Sequence, residues 1–253
     1  MRRIQSALWL FFISVVFIPV GSFADEIHIA VSSNFASVMK VISHQFQVQS
    51  DHVVVLSFGS TGKHYAQIKN GAPFDAFFAA DSERPKKLIA EGRAVEGSRF
   101  TYAIGKLVLW SPDSMRIDQT GNILKQGDYR FLAIANPKLA PYGQAAREVL
   151  IKLGIWNQIQ DRIVRGENIN QSFHYVKSGN AELGFVAYSH IKKGDGKNPG
   201  SAWMPPQSLY PKICQQAVVL KKKPAVLQFI RFCRSTAARK IILEYGYEVP
   251  DVE

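Results

Sequence analysis

Three short stretches of this 253-residue chain gather small hydrogen-bond donors. They are Ser32-Ser33-Asn34-Phe35, Gly59-Ser60-Thr61-Gly62, and Asn136-Pro137 followed by Ala140-Pro141-Tyr142-Gly143. Each lies where a β-rich run gives way to a helical pattern. The first N–H groups of a helix have no partner within it, and that end carries partial positive charge. Such a turn can offer hydroxyls, amides and backbone N–H groups to an anion. Ser, Thr and Asn are also the ordinary caps of helices, so capping alone would account for any single turn. Three such turns in one chain, two with glycines that let a ligand approach the backbone, point instead to anion binding.

Other chemistries fit less well. Gly59 to Lys63 (GSTGK) resembles the end of a phosphate loop. The residue five before Gly62 is Ser57 rather than Gly, and Lys63 is followed by His64 rather than Ser or Thr, so a nucleotide site is excluded. There is no Gly-x-Ser-x-Gly elbow, and the histidines form no recognisable relay. No His or Cys cluster has the spacing of a zinc site. The chain reads as a binder and not an enzyme, with no cofactor beyond its ligand and no direct metal ligand.

The elements that must position these turns alternate. Ile27–Val31 is strand-like, and Phe35, Val38, Met39, Ile42 and Phe46 then recur at helical spacing over residues 34–47. Residues 53–58 and 74–79 read as strands, 63–70 as a helix, and 82–91 as a helix capped by Ser82 and ended by Gly92. The run 101–110 predicts one long strand. Strands follow at 131–135, 163–164, 183–188 and 215–220, with helices at 142–153 and 170–177 and a single final helix over 225–244. Such alternation predicts mostly parallel sheets flanked by helices, with ligands at the carboxyl ends of strands.

Arg2 and Arg3, the apolar run Ala7 to Val20, and small residues at Ser22 and Ala24 have the layout of a secretory signal peptide over residues 1–24. Nothing after it is long and apolar enough to span a bilayer, so a soluble exported protein is expected. The net charge is +11, but it is scattered. The densest run, Lys221-Lys222-Lys223, reads as a solvated turn, and export argues against nucleic acid. Cys214 and Cys233 would meet an oxidising compartment, where they could pair or remain two separate thiols.

Residues 54–62 (VVLSFGSTG), 65–75 (YAQIKNGAPFD), 80–87 (ADSERPKK), 99–110 (RFTYAIGKLVLW), 136–143 (NPKLAPYG) and 183–187 (LGFVA) carry a resemblance that covers essentially all of residues 25–253. The chain resembles the periplasmic molybdate-binding proteins. The resemblance implies an α/β, two-lobed type II periplasmic-binding-protein fold with the ligand cleft between the lobes. One lobe would comprise residues 25–103 and 213–253 and the other residues 104–212, with hinges near 101–110 and 213–220. It implies oxyanion contacts from Ser33, Asn34 (through its amide), Ser60, Thr61 and Tyr142, and from the backbone N–H of Ile169, or of Asn170 if the match slips by one. Another branch of the family places its tyrosine later, at the position of Ala187. Tyr188, one residue on, would point elsewhere along its strand.

The ligand would be molybdate or tungstate, its metal held only through oxygen. The partner would be an inner-membrane ABC permease, the location the periplasm and the state monomeric. Three rivals remain: a binder of sulfate or another oxyanion, an enzyme on the same fold, and a regulator's sensing domain. Mass spectrometry of the exported protein is expected to find Asp25 at its N-terminus. A mature chain that retains residues 1–24 would refute the processing site.

Overall fold

A computed structural model describes residues 25–192 and 199–250. The expected signal segment, residues 1–24, lies outside the described residues. In chain order the elements begin with β1 (Glu26–Ser32), α1 (Ala36–Val48), β2 (Val53–Gly59), α2 (Thr61–Lys69), β3 (Ala76–Ala79) and α3 (Glu83–Ala90). They continue with β4 (Phe100–Gly105), β5 (Leu107–Ser111), α4 (Ile123–Gln126), β6 (Leu132–Ala135), α5 (Pro141–Lys152), β7 (Ile163–Gly166) and α6 (Ile169–Lys177). The last are β8 (Leu183–Ala187), α7 (Tyr188–Ile191), β9 (Ser201–Trp203), β10 (Ile213–Val219), α8 (Pro224–Cys233) and α9 (Thr236–Glu244).

The strands form two five-stranded sheets, ordered β2-β1-β3-β10-β4 and β7-β6-β8-β5-β9. In each sheet three neighbouring strands run parallel, and the fourth is antiparallel to its neighbours. The antiparallel strand is the one that enters from the other lobe: β10 in the first sheet, β5 in the second. The sheets are therefore mixed, with parallel pairing confined to the three strands whose βα alternation is visible in sequence.

Burial follows the period-2 alternation of strands. Ile27, Ile29 and Val31 pack on one face of the first sheet with α1, α8 and α9, whereas Ala30, Phe77 and Val218 pack on the other with Ile68 of α2 and Leu88 of α3. The second sheet is covered likewise, by α5 on one face and α6 on the other. No described helix is long and apolar enough to cross a membrane.

Several expected elements differ. The single strand over 101–110 is two strands in different sheets. Ile104 pairs with Cys214 and Leu107 pairs with Ala187, so the chain changes lobes at Lys106. Every residue there is extended, so periodicity alone does not show a change of partner. The final helix breaks at Arg234, where the Ser235 hydroxyl accepts from Ala238 N–H and starts α9. Ser82 makes no side-chain cap; Asp81 Oδ1 accepts from Arg84 N–H at 3.0 Å instead. Tyr188 opens α7 rather than ending a strand. The cysteines are free thiols: Cys233 sits in the core of the first lobe, and Cys214 lines a groove beside Pro141 and Ala145.

The lysine run is not merely solvated. Asp75 is fully buried at the end of the first sheet, and its Oδ1 lies 2.9 Å from Lys223 Nζ and 3.5 Å from Lys221 Nζ. Its Oδ2 accepts from His28 N–H at 2.9 Å. Burial, the largest influence, pushes its pKa up. The His28 N–H and the two lysines together outweigh burial and hold it below the usual carboxylate value. A carboxyl with a lowered folded pKa stabilises the protein above its unfolded pKa, and this is lost as pH falls through the folded value. Asp75→Asn is expected to cost about 2 kcal/mol at neutral pH. The difference from the parent should shrink in acid, as denaturant midpoints measured across pH would show.

Candidate anion-binding site

The six residues expected to hold an oxyanion meet around one small cavity. β1 delivers Ser32, Ser33 and Asn34; β2 delivers Gly59, Ser60 and Thr61; β3 delivers Ala80. From the other lobe, β6 leads to Pro141 and Tyr142, and β7 to Asn168 and Ile169. All these positions follow the carboxyl end of a strand, where open α/β sheets bind ligands. Ile169 lines the cavity and Asn170 does not. The space between these residues is small, on the scale of a compact ion and not of a nucleotide.

The lining contains no charged side chain among the described residues. Lys63 points away and pairs with Glu167 of the other lobe at 3.0 Å, both half-exposed. His64 is buried on α2 behind Gly59, with Nε2 3.2 Å from the Val31 carbonyl. Burial lowers its pKa, so it brings no positive charge at neutral pH.

What the lining offers is donors. The Ser60 hydroxyl accepts from Lys63 N–H as a helix cap, which leaves its own hydrogen free. The Ser32 and Thr61 hydroxyls bond one another, and both accept from Ala80 N–H at 3.1 Å. One hydrogen of that pair remains to face a ligand. Ile169 opens α6, so its N–H has no partner within the helix.

A buried polar network lies beneath the cavity. Asn34 Nδ2 donates to Gln215 Oε1 at 2.8 Å and to Tyr247 Oη at 3.1 Å. Gln215 Nε2 donates to Tyr142 Oη at 3.3 Å, and the Tyr102 hydroxyl lies 3.0 Å from both Gln215 Oε1 and the Ala79 carbonyl, with one hydrogen to give. Burial raises the pKa of Tyr102 and Tyr142 well above the ordinary phenol value and pushes Tyr247 up to about 12. All three hydroxyls stay protonated and able to donate. The expected gift of the Asn34 amide to a ligand meets a competing use here, since both of its hydrogens are engaged within the protein.

The same turns close the cleft. Gly62 N–H donates to the Leu139 carbonyl at 2.8 Å, and Arg84 Nη2 to the Lys138 carbonyl at 3.2 Å. A Cβ at Gly62 would lie 3.0 Å from that Leu139 oxygen, so only glycine lets the lobes approach this closely.

Residues 27–248 match the family model described as bacterial extracellular solute-binding protein. The chain belongs to that family. A molybdate-binding protein of Azotobacter vinelandii is 47% identical over 227 residues, covering 88% of this chain and 90% of the relative. A molybdate-binding protein of Rhodobacter capsulatus is 46% identical over 227 residues, covering 88% of each. The solved periplasmic molybdate-binding protein of Azotobacter vinelandii superposes with a TM-score of 0.86 at 42% identity, covering 89% of this chain and 100% of that one.

Some functional residues of this family member escape sequence reading. Ser32 belongs to the first turn, but its bond to Thr61 spans 29 positions. Gln215 stands in the apolar strand ICQQAVV, and a fully buried glutamine there is the one signal that could have exposed it. Tyr247 and Ser189 reach the Asn34 carbonyl from the C-terminal segment and from α7. Gly105 is needed for space. A methyl there would overlap the Tyr142 hydroxyl and come within 2.7 Å of Gln215 Nε2. Gly105→Ala is expected to destabilise the protein by about 1–3 kcal/mol through overpacking. A denaturant midpoint equal to the parent's would contradict this placement of Tyr142.

Proposed function

We propose that this protein captures molybdate, and tungstate with it, between its lobes. It then delivers the anion to an ABC importer of the inner membrane. The carrying observation is a small cavity of neutral donors at five strand ends, in a chain close in sequence to two molybdate-binding proteins. Ser33, Ser60, Thr61, Tyr142 and the Ile169 N–H are the proposed direct contacts, with Asn34 holding the floor. The protein acts as a monomeric receptor in the periplasm rather than as an enzyme, and its lobes divide at Lys106 rather than at the expected residue 103, with residues 25–105 and 213–253 in one and 107–212 in the other.

The donor set selects the ligand. A fully deprotonated tetrahedral dianion accepts at every oxygen. Phosphate near neutral pH carries a proton, and the lining supplies no carboxylate to receive it. An unmet buried donor costs roughly 1–3 kcal/mol. Sulfate has the right charge but is smaller, so it cannot reach both lobes' donors at once. Hydrogen bonds to a charged acceptor contribute about 1.5–3 kcal/mol each, enough in number to hold a dianion without a counter-ion. The scattered basic surface serves the encounter rate through long-range attraction.

Calorimetric titration should therefore rank molybdate and tungstate far above sulfate, with phosphate weakest. Thr61→Val and Tyr142→Phe should each weaken molybdate binding by about 1–3 kcal/mol, or roughly five- to 150-fold. Lys63→Ala should cost less than about 1 kcal/mol, as for a screened surface pair. Comparable affinities for phosphate and molybdate would refute the ligand. Abolished binding in Lys63→Ala, with both neutral-donor variants unaffected, would show a cationic site instead.

A further inference from the structure

The network under the cavity has a direction. The Asn34 main-chain carbonyl can only accept, and Tyr247 Oη donates to it at 2.7 Å. Ser189 Oγ shares this corner, 2.9 Å from Tyr247 Oη and 3.3 Å from the same carbonyl. With its hydrogen on the carbonyl, Tyr247 Oη acts as acceptor toward Asn34, whose amide nitrogen lies 3.1 Å away. The second hydrogen of that nitrogen then points at Gln215, so the glutamine presents Oε1 there at 2.8 Å. Its Nε2 is consequently turned to Tyr142, whose oxygen accepts at 3.3 Å. Along this path Gln215 meets Tyr142 as a donor and makes no claim on the Tyr142 hydrogen, for which Tyr247 Oη is a neighbouring competitor of the bound anion.

We propose that Gln215 is a positioning residue that sets donor polarity in the anion site. By donating to Tyr142 Oη, it reserves the tyrosine's own hydrogen for the bound anion. Gln215 does not line the cavity. It is fully buried on β10 of the first lobe, while Tyr142 begins α5 of the second. The 3.3 Å bond therefore also ties the lobes together where the anion sits. A side chain that accepted from Tyr142 would capture the hydrogen and present a lone pair to a dianion. No charged group makes a hydrogen bond to Gln215; its partners are Asn34, Tyr102 and Tyr142.

This inference rests on the oxyanion reading above, and a double-mutant cycle separates the two. Molybdate affinity would be measured by calorimetry for the parent, Gln215→Glu, Tyr142→Phe and the double variant. Melting temperatures without ligand would serve as the folding control. The carboxyl of Gln215→Glu can accept from Tyr142 and capture its hydrogen, so that variant should weaken binding by about tenfold or more in the parent, but by less than about threefold once Tyr142 is Phe. Equal losses in both backgrounds would mean charge repulsion or a general structural role and would overturn the proposal, as would parental affinity in Gln215→Glu. Should that variant fail to fold, Gln215→Met, which has no strong acceptor to capture the hydrogen, should bind within about threefold of the parent, and a larger loss would overturn the proposal. A parent that binds no molybdate would instead defeat the oxyanion reading itself.

Discussion

A buried polar group must find a partner, and the molecule is organised around a place where donors are left without one. At the carboxyl ends of β1, β2, β6 and β7, the chain turns directly into helices whose first N–H groups lack intrahelical acceptors. Hydroxyls from Ser33, Ser60 and the Ser32–Thr61 pair join them, and no carboxylate is present in the lining among the described residues. Leaving these donors dry would cost free energy; an anion that accepts from all of them relieves it. Helix ends add partial positive charge, so a full counter-charge is unnecessary.

The two sheets repeat one arrangement, three parallel strands followed by an antiparallel strand borrowed from the other lobe. That exchange brings the crossing segments under the cavity. Gly105, just before the crossing at Lys106, makes room for the Tyr142 hydroxyl, and Gln215 on the returning strand reaches across to it. The hinge and the floor of the site are thus built from the same backbone. Closure of the lobes, with Gly62 against Leu139 and Lys63 against Glu167, completes the donor set.

Charge is kept out of this machinery. Near the cleft Lys63 pairs with Glu167 and Arg84 with Asp81, while Lys221 and Lys223 are spent on Asp75. His64 and the tyrosines are held neutral by burial. An uncharged pocket discriminates by the number and reach of its donors, which a lysine's mobile point charge would blur.

The six expected contact residues, Ile169 among them, were implied by the family resemblance, whereas local pattern alone made the βα alternation and the donor-rich turns legible. Each depends on neighbours within a few positions: apolar spacing, glycine at a turn, a hydroxyl at a helix start. The division of 101–110 between two sheets and the break of the last helix at Ser235 were less visible, because extended and helical periodicity continue through both. Tertiary structure alone decided what the donors do. The Ser32 and Thr61 hydroxyls bond one another, the Asn34 amide is engaged by Gln215 and Tyr247, and the Tyr142 oxygen accepts from a residue 73 positions away. A hydrogen bond has a direction, and which partner donates depends on every group already satisfied around it. That assignment exists only once the two lobes have brought distant residues into one buried network.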